Sequence, residues 1–251
     1  MSYEEIIMEK KDKITWISLN RPAKMNALTP LMLKEWRHAL ETIEKGDDCS
    51  VVIVKGEGKA WSAGVDLSAF QETKVEPGFQ MFEDGLTIIN MLSGIAKPPI
   101  AMLNGSCFTG ALEIMLAFDT VFAADSAKIG DTHSKWGIPP KWGMTVRLMH
   151  QVGLKKAKEL SFTAEAISGK EAERIGLVNQ SVPLEELEAL VLKKAELIIG
   201  NSYQTIAAEK ELYEFTKTNL LNDSIVYEQD FEIKLTDKTD TLKNFKNKLH
   251  E

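Results

Sequence analysis

The first 130 residues alternate short apolar runs with amphipathic segments, and this alternation limits the possible folds more than any other feature. Residues 3–10 and 14–20 have the pattern of two strands joined as a hairpin. Residues 50–56, 98–105 and 119–125 are apolar runs of the length expected for buried strands. Strands that alternate with helical segments in this way predict an α/β fold.

A helix is predicted at residues 29–45, between the hairpin and the next strand. The segment begins with Thr29 and Pro30, a residue pair that is common at helix starts. Its apolar residues recur at close to helical spacing, so one face should pack on the core. The apolar positions of this predicted stripe are Leu31, Leu33, Trp36, Leu40 and Ile43.

From about residue 142 onward the sequence is mainly of helical type, with segments separated by Gly, Pro, Ser and Asn. We therefore expect the chain to divide into a core over residues 1–195 and a helical C-terminal region over residues 196–251. We expect two further stretches to influence what the protein binds, the variable stretch at 68–86 and the tail at 237–251.

Composition excludes several classes of protein. A formal net charge of −7 leaves no excess of basic residues with which to bind a nucleic acid. No apolar run approaches the ~20 residues that a membrane span requires. Cys49 and Cys107 lack metal-ligand spacing and further partners, which fits a reducing compartment. We expect a soluble, cytoplasmic protein that binds no metal, membrane or nucleic acid.

Three loops carry the residues suited to chemistry. In residues 58–70, small residues around Gly64 would let a ligand approach the backbone closely. In residues 104–119, the chain leaves a strand through glycine and enters a helix near Gly110, where free N–H groups suit a developing oxyanion. The third loop covers residues 127–144 and contains His133.

Single residues in these loops allow two interpretations each. Glu113 lies one turn inside an otherwise apolar helix. Burying a carboxylate there destabilises the fold unless the carboxylate is paired, so it either has a partner or serves a function. His133 could transfer a proton or could hold a turn by a hydrogen bond. Trp136 and Trp142 could contact a ligand or could pack in the core.

Four segments in order, residues 19–33, 60–67, 97–130 and 172–183, resemble the crotonase family, also called the enoyl-CoA hydratase/isomerase family. The similarity covers roughly residues 3 to 200. It implies a superhelix of repeated ββα units with a helical C-terminal region that forms a homotrimer or homohexamer. It also implies an acyl-CoA thioester as substrate, with no cofactor other than the coenzyme A of that substrate.

The same resemblance assigns residues to roles. The backbone N–H groups of Val65 and Gly110 would hold the oxygen of a thioester enolate. Glu113 matches the first of two catalytic glutamates in family hydratases, whereas His133 stands where the second is expected. The candidate substrate-binding residues are Lys24, Met25, Ala27, Ala63, Asp66, Leu67, Trp136 and Trp142.

His133 leaves the reaction type open. We expect hydration of a 2,3-unsaturated acyl-CoA, with Glu113 activating water and His133 transferring a proton or orienting that water. The alternatives are a hydrolase acting on a C–C bond or thioester, an enoyl-CoA isomerase, and an acyl-CoA-binding subunit without activity. If His133 transfers protons, activity should titrate at roughly pH 5.5 to 7.5. For the substitution His133→Glu we expect hydration to be retained.

Overall fold

The computed structural model describes residues 3–70 and 77–233. The predicted C-terminal tail at 237–251 and part of the variable stretch at 68–86 lie outside these ranges. Within the described part, no helix is long and apolar enough to cross a membrane.

A six-stranded sheet lies at the centre of the described fold, in the order β1-β2-β3-β5-β7-β10. The first two strands form the predicted antiparallel hairpin, and the others pair in parallel. Strand β3 is almost fully buried along its length, as expected for a continuous apolar run. The strands are β1 Ile6–Lys11, β2 Ile14–Leu19, β3 Val51–Gly56, β5 Pro99–Leu103, β7 Thr120–Ala124 and β10 Gln180–Val182.

A second sheet of four short strands lies beside the first, in the order β4-β6-β8-β9. Its members are β4 Ala60–Ser62, β6 Ser106–Phe108, β8 Lys128–Gly130 and β9 Ile167–Ser168. Strands β4, β6 and β8 directly follow β3, β5 and β7, and a helix follows each pair. These are the repeated ββα units that the resemblance implies, and the α/β prediction is confirmed.

Tight corners join the paired strands of successive units. At Gly105, between β5 and β6, an added Cβ atom would lie 2.1 Å from the carbonyl oxygen of Lys59. Only glycine fits at such a distance without a shift of the backbone. This close approach stacks one unit on the preceding one, so that β4, β6 and β8 run in parallel and end at the same edge.

Helix α1, Pro30–Lys45, confirms the predicted segment, and the Thr29 hydroxyl accepts the N–H of Met32 at its start. One position of the predicted stripe is wrong. Leu31 is 39% exposed, whereas Met32 is fully buried. Met32 lies four residues before Trp36 and therefore on the same helix face, whereas Leu31 lies five residues before it and is turned away from the core.

The second half is helical, as predicted, but it also supplies one strand to each sheet. Strands β9 and β10 are two and three residues long, which is too short to produce a recognisable pattern. Helix α8 passes through residue 195, and the predicted domain boundary there stays a prediction. The remaining helices are α2 Pro77–Gly94, α3 Gly110–Met115, α4 His133–Trp136, α5 Met144–Val152, α6 Leu154–Thr163, α7 Gly169–Arg174, α8 Leu184–Ile199, α9 Tyr203–Thr216 and α10 Leu221–Asp230.

Candidate active site

The three loops singled out from the sequence meet at one cavity. They follow β4, β6 and β8, and because these strands are parallel their carboxyl ends lie at the same edge of the second sheet. The cavity has a volume of about 160 Å³. Of the predicted site residues, it is lined by Ala63, Val65, Leu67, Gly110, Glu113, His133, Trp136 and Trp142.

Two backbone segments approach each other closely at the cavity wall. Gly64 has a φ of +90°, and an added Cβ atom there would lie 2.7 Å from the carbonyl oxygen of Phe108. An added Cβ atom at Gly110 would lie 3.1 Å from a methyl group of Val65. Within the described ranges, neither the Val65 N–H nor the Gly110 N–H donates to another residue. Both donors are therefore available to an acceptor in the cavity.

Thr109 holds the second of these segments in an uncommon conformation. Its φ of 54° and ψ of −117° are unfavourable for a β-branched residue and cost about 1–3 kcal/mol. Its N–H donates to the Gly130 carbonyl at 3.1 Å, and its hydroxyl lies 2.6 Å from that of Thr132. These bonds tie the start of α3 to the loop that carries His133. Sequence reasoning did not identify Thr109.

Glu113 lies on the inner face of α3 and is 2% exposed. Its Oε1 atom accepts the backbone N–H of Trp142 at 2.8 Å and that of Met144 at 3.2 Å. These two bonds fix the orientation of the carboxylate and occupy one oxygen. The other oxygen, Oε2, lies 3.5 Å from His133 Nε2.

His133 lies in the first position of α4 and is 7% exposed. Its Nδ1 atom lies 2.6 Å from Asp131 Oδ1, and its backbone N–H donates to the same oxygen at 3.2 Å. The hydroxyl of Ser161, on α6, donates to Asp131 Oδ2 at 2.6 Å. The site thus contains a buried row of Ser161, Asp131, His133 and Glu113. Sequence reasoning missed Asp131 and Ser161, although an acidic residue two positions before a candidate histidine was a signal for Asp131.

The neighbours of His133 determine its charge. Burial alone would lower the pKa of the imidazole, but the hydrogen bonds to Asp131 and Glu113 and their negative charges outweigh burial and raise that pKa to about 9. Burial would also raise the pKa of Asp131, yet the bonds from His133 and Ser161 lower it instead. His133 is an imidazolium at neutral pH. The predicted limb of activity at roughly pH 5.5 to 7.5 assumed an unshifted histidine. It stays a prediction, and the raised pKa of His133 favours a limb at higher pH.

The two tryptophans take different positions. Trp142 is 2% exposed, donates its indole N–H to the Phe82 carbonyl at 3.0 Å and packs edge-on against the Phe82 ring. Trp136 is 57% exposed and lies at the rim of the cavity. Both line the cavity: Trp142 is part of its packed inner wall, and Trp136 is part of its exposed rim.

Lys24, Met25, Ala27 and Asp66 are not part of the cavity lining, but they lie next to it. The Met25 carbonyl accepts the N–H of Ala63 at 2.9 Å. Arg21 donates to the Ala27 carbonyl at 2.7 Å and to Asp66 at 3.1 Å. The predicted coenzyme A residues therefore form one hydrogen-bonded rim beside the cavity.

A stacked ββα fold with two free N–H donors beside a buried carboxylate and imidazolium defines an enzyme-like site for acyl chemistry. The family model for enoyl-CoA hydratase/isomerase matches residues 9–250, and the chain belongs to that family.

Relatives and solved structures agree with this assignment. A crotonyl-CoA hydratase from Syntrophomonas wolfei subsp. wolfei is 35% identical over 84% of this chain and 81% of the relative. The crystal structure of an enoyl-CoA hydratase from Bacillus anthracis matches with a TM-score of 0.91 and 31% identity, over 98% of this chain and 97% of that one. A chain from Thermobifida fusca YX, solved in complex with CoA, matches with a TM-score of 0.82 and 25% identity, over 90% of both chains.

Proposed function

We propose that this protein hydrates 2,3-unsaturated acyl-CoA thioesters. The observation that carries the proposal is the pairing of Glu113 Oε2 with the His133 imidazolium, 3.5 Å apart, in a cavity whose wall carries the free N–H groups of Val65 and Gly110. Hydration needs a base for water, an acid for carbon and donors for the enolate oxygen, and these groups supply all three.

The proposed cycle balances its protons within the site. The N–H groups of Val65 and Gly110 hold the thioester oxygen while Glu113 takes a proton from water and the hydroxide adds to C3. The enolate then collapses, and His133 Nε2 gives its proton to C2. Glu113 is now protonated and His133 is neutral, so the proton can pass back from Oε2 to Nε2. This return restores the starting charges without a further group.

We assign coenzyme A to the rim formed by Lys24, Met25, Ala27 and Asp66, together with Ala63 and Leu67 from the cavity edge. The hydrogen bonds that join these segments hold the rim in one conformation. The Thermobifida fusca YX chain that was solved with CoA has the same fold, which supports binding of coenzyme A by this chain. Trp136 and Trp142 would then flank the acyl group.

The test is incubation with crotonyl-CoA and a panel of longer and aromatic enoyl-CoA thioesters, with products identified by mass spectrometry. Hydration gives a product heavier by one water with the thioester intact. Free coenzyme A would show hydrolysis, and a rearranged double bond at unchanged mass would show isomerisation. The proposal is overturned if no thioester in the panel gains water.

We also propose that the protein is a homotrimer or homohexamer in the cytoplasm. Helices α9 and α10 and the turn between them carry large apolar side chains that are exposed in the single chain, among them Tyr213, Leu220 and Leu221. Both cysteines are buried free thiols, which suits a reducing compartment. Light scattering should give three or six times the 28.0 kDa of one chain, and a monomer or dimer at all concentrations would contradict the assembly.

A further inference from the structure

Asp131 lies behind His133, on the side of the ring that faces away from Glu113. It is 2% exposed and does not line the cavity, so it cannot touch a substrate. Its described side-chain hydrogen bonds hold His133 and Ser161. The Oδ1 atom accepts the Nδ1 and backbone N–H groups of His133, and Oδ2 accepts the Ser161 hydroxyl. A buried carboxylate with these partners has a defined orientation.

This arrangement decides which nitrogen of His133 exchanges its proton. Two bonds to one oxygen of Asp131 fix both the backbone and the ring of His133, so that Nε2 faces Glu113. When the imidazolium loses a proton, the other proton stays on Nδ1 and remains hydrogen-bonded to the Asp131 carboxylate. The proton that leaves is therefore the one on Nε2, which faces the cavity.

Among the residues that the structure describes, Asp131 and Glu113 are the charged groups that act on His133 directly, and Lys141 is a further charged residue in the cavity lining. Helix α6, which packs against the α4 turn, contributes the neutral hydroxyl of Ser161. Glu113 changes its own charge during the proposed cycle, whereas Asp131 stays ionised throughout. Asp131 is thus the constant negative charge beside the imidazole.

We propose that Asp131, held by Ser161, is a positioning residue that directs Nε2 of His133 into the cavity and keeps it protonated, so that His133 is the acid and Glu113 the base. This inference rests on the proposed hydratase function. It goes beyond that function because it explains the division of the two proton-transfer roles between His133 and Glu113 by Asp131, a residue outside the cavity lining.

The substitutions Asp131→Asn and Asp131→Ala separate charge from orientation. Asparagine keeps an oxygen that can accept the Nδ1 proton but removes the charge, and alanine removes both. Asp125→Asn makes the same chemical change at a site that contacts Lys170, outside the cavity. NMR titration of labelled histidine in the substrate-free protein follows the pKa of His133, and His133→Gln identifies its signal among the four histidines.

We expect Asp131→Asn to lower the pKa of His133 by about one unit or more, because an opposite charge is lost. The alkaline limb of kcat for hydration should move down by the same amount, with KM changed less than about twofold. At about pH 6, where the ring is protonated in both proteins, Asp131→Asn should keep most of its activity. Asp131→Ala should lose about tenfold or more in kcat even there, because the ring is no longer held. Asp125→Asn should behave like the wild type.

The two proposals fail in different ways. If hydration occurs but the pKa of His133 is the same in wild type and in a folded Asp131→Asn variant, Asp131 has no such role and the hydratase function stands. If that pKa moves as expected but no enoyl-CoA is hydrated, the hydratase function fails and the assignment of the acid and base fails with it. Full activity of Asp131→Ala at every pH would overturn the inference by itself.

Discussion

Two of the places where the described residues bury charged side chains differ in one respect. In the cavity, Glu113 and His133 face each other across a space open to a ligand. Between the helices, Lys210 of α9 reaches Asp119 at 2.7 Å and the Leu92 carbonyl at 2.9 Å. Lys210 is 8% exposed, about as buried as His133.

Both sites shift pKa values, so a shift alone does not distinguish them. Burial raises the pKa of Asp119 to about 6, although the charge of Lys210 opposes this, and burial lowers the pKa of Lys210. The charged groups of this pair are directed at protein atoms, and neither lines the cavity. Glu113 instead keeps one oxygen toward the cavity. A buried charge indicates catalysis here only where part of its bonding capacity remains open to a ligand.

The largest expected effect is on Glu113. Glu113→Gln keeps an oxygen that can accept the N–H groups of Trp142 and Met144 but cannot take a proton from water. We expect kcat for hydration to fall by about 10²-fold or more, with little change in binding of the thioester. Turnover like that of the wild type would remove Glu113 from the mechanism and with it the contrast between the two charged sites.

His133→Glu tests whether the cavity site depends on Asp131. From sequence alone we expected hydration to be retained, but the new carboxylate would face Asp131 where Nδ1 now lies at 2.6 Å. Like charges in a buried site repel, so we now expect His133→Glu alone to lose about tenfold or more in kcat. The double variant Asp131→Asn with His133→Glu should recover part of this loss. Equal activities of the single and double variants would show that the two positions are not coupled.

Lys210→Met should affect stability and not catalysis. It leaves the Asp119 carboxylate without its cation. Because the Asp119 side chain is still 26% exposed to water, we expect the free energy of unfolding to fall by only about 2 kcal/mol, less than for a fully buried pair. Thermal unfolding should show a fall in Tm of about 4–8 °C. Lys170→Met, which breaks an ion pair of a mostly exposed lysine, should change little. If folded Lys210→Met loses hydration, the distinction between the two sites is wrong.

The smallest expected effect is the pH dependence of stability that His133 contributes. The pKa of His133 is about 9 in the folded protein and near 6.5 when unfolded. Its protonation therefore contributes stability that is complete below about pH 6.5 and is lost as the pH rises through about 9. The Tm difference between wild type and His133→Gln should shrink by about 2 °C or more between these values. A constant difference would mean that the imidazolium does not stabilise the fold.

Sequence reasoning predicted features that depend on a few adjacent residues. The hairpin, the buried strands, helix α1 and the helix start at Gly110 were all confirmed, because hydrophobic period and turn residues act locally. Glu113 and His133 were found because of their residue types and their places in short motifs. Strands β9 and β10 were missed, since they are very short and depend on pairing partners elsewhere in the chain. The exposure of Leu31 was missed because its position five residues before Trp36 was counted as part of the apolar stripe.

The sequence by itself determined the fold class and which residues could do chemistry, because both follow from residue type and short-range spacing. Tertiary structure alone decided how those residues are charged and oriented. Ser161 reaches Asp131 across 30 positions, and the N–H groups of Trp142 and Met144 occupy one oxygen of Glu113 and leave the other facing His133. The charge of His133 depends on these distances and on burial, because electrostatic energy varies with separation and with exclusion of water.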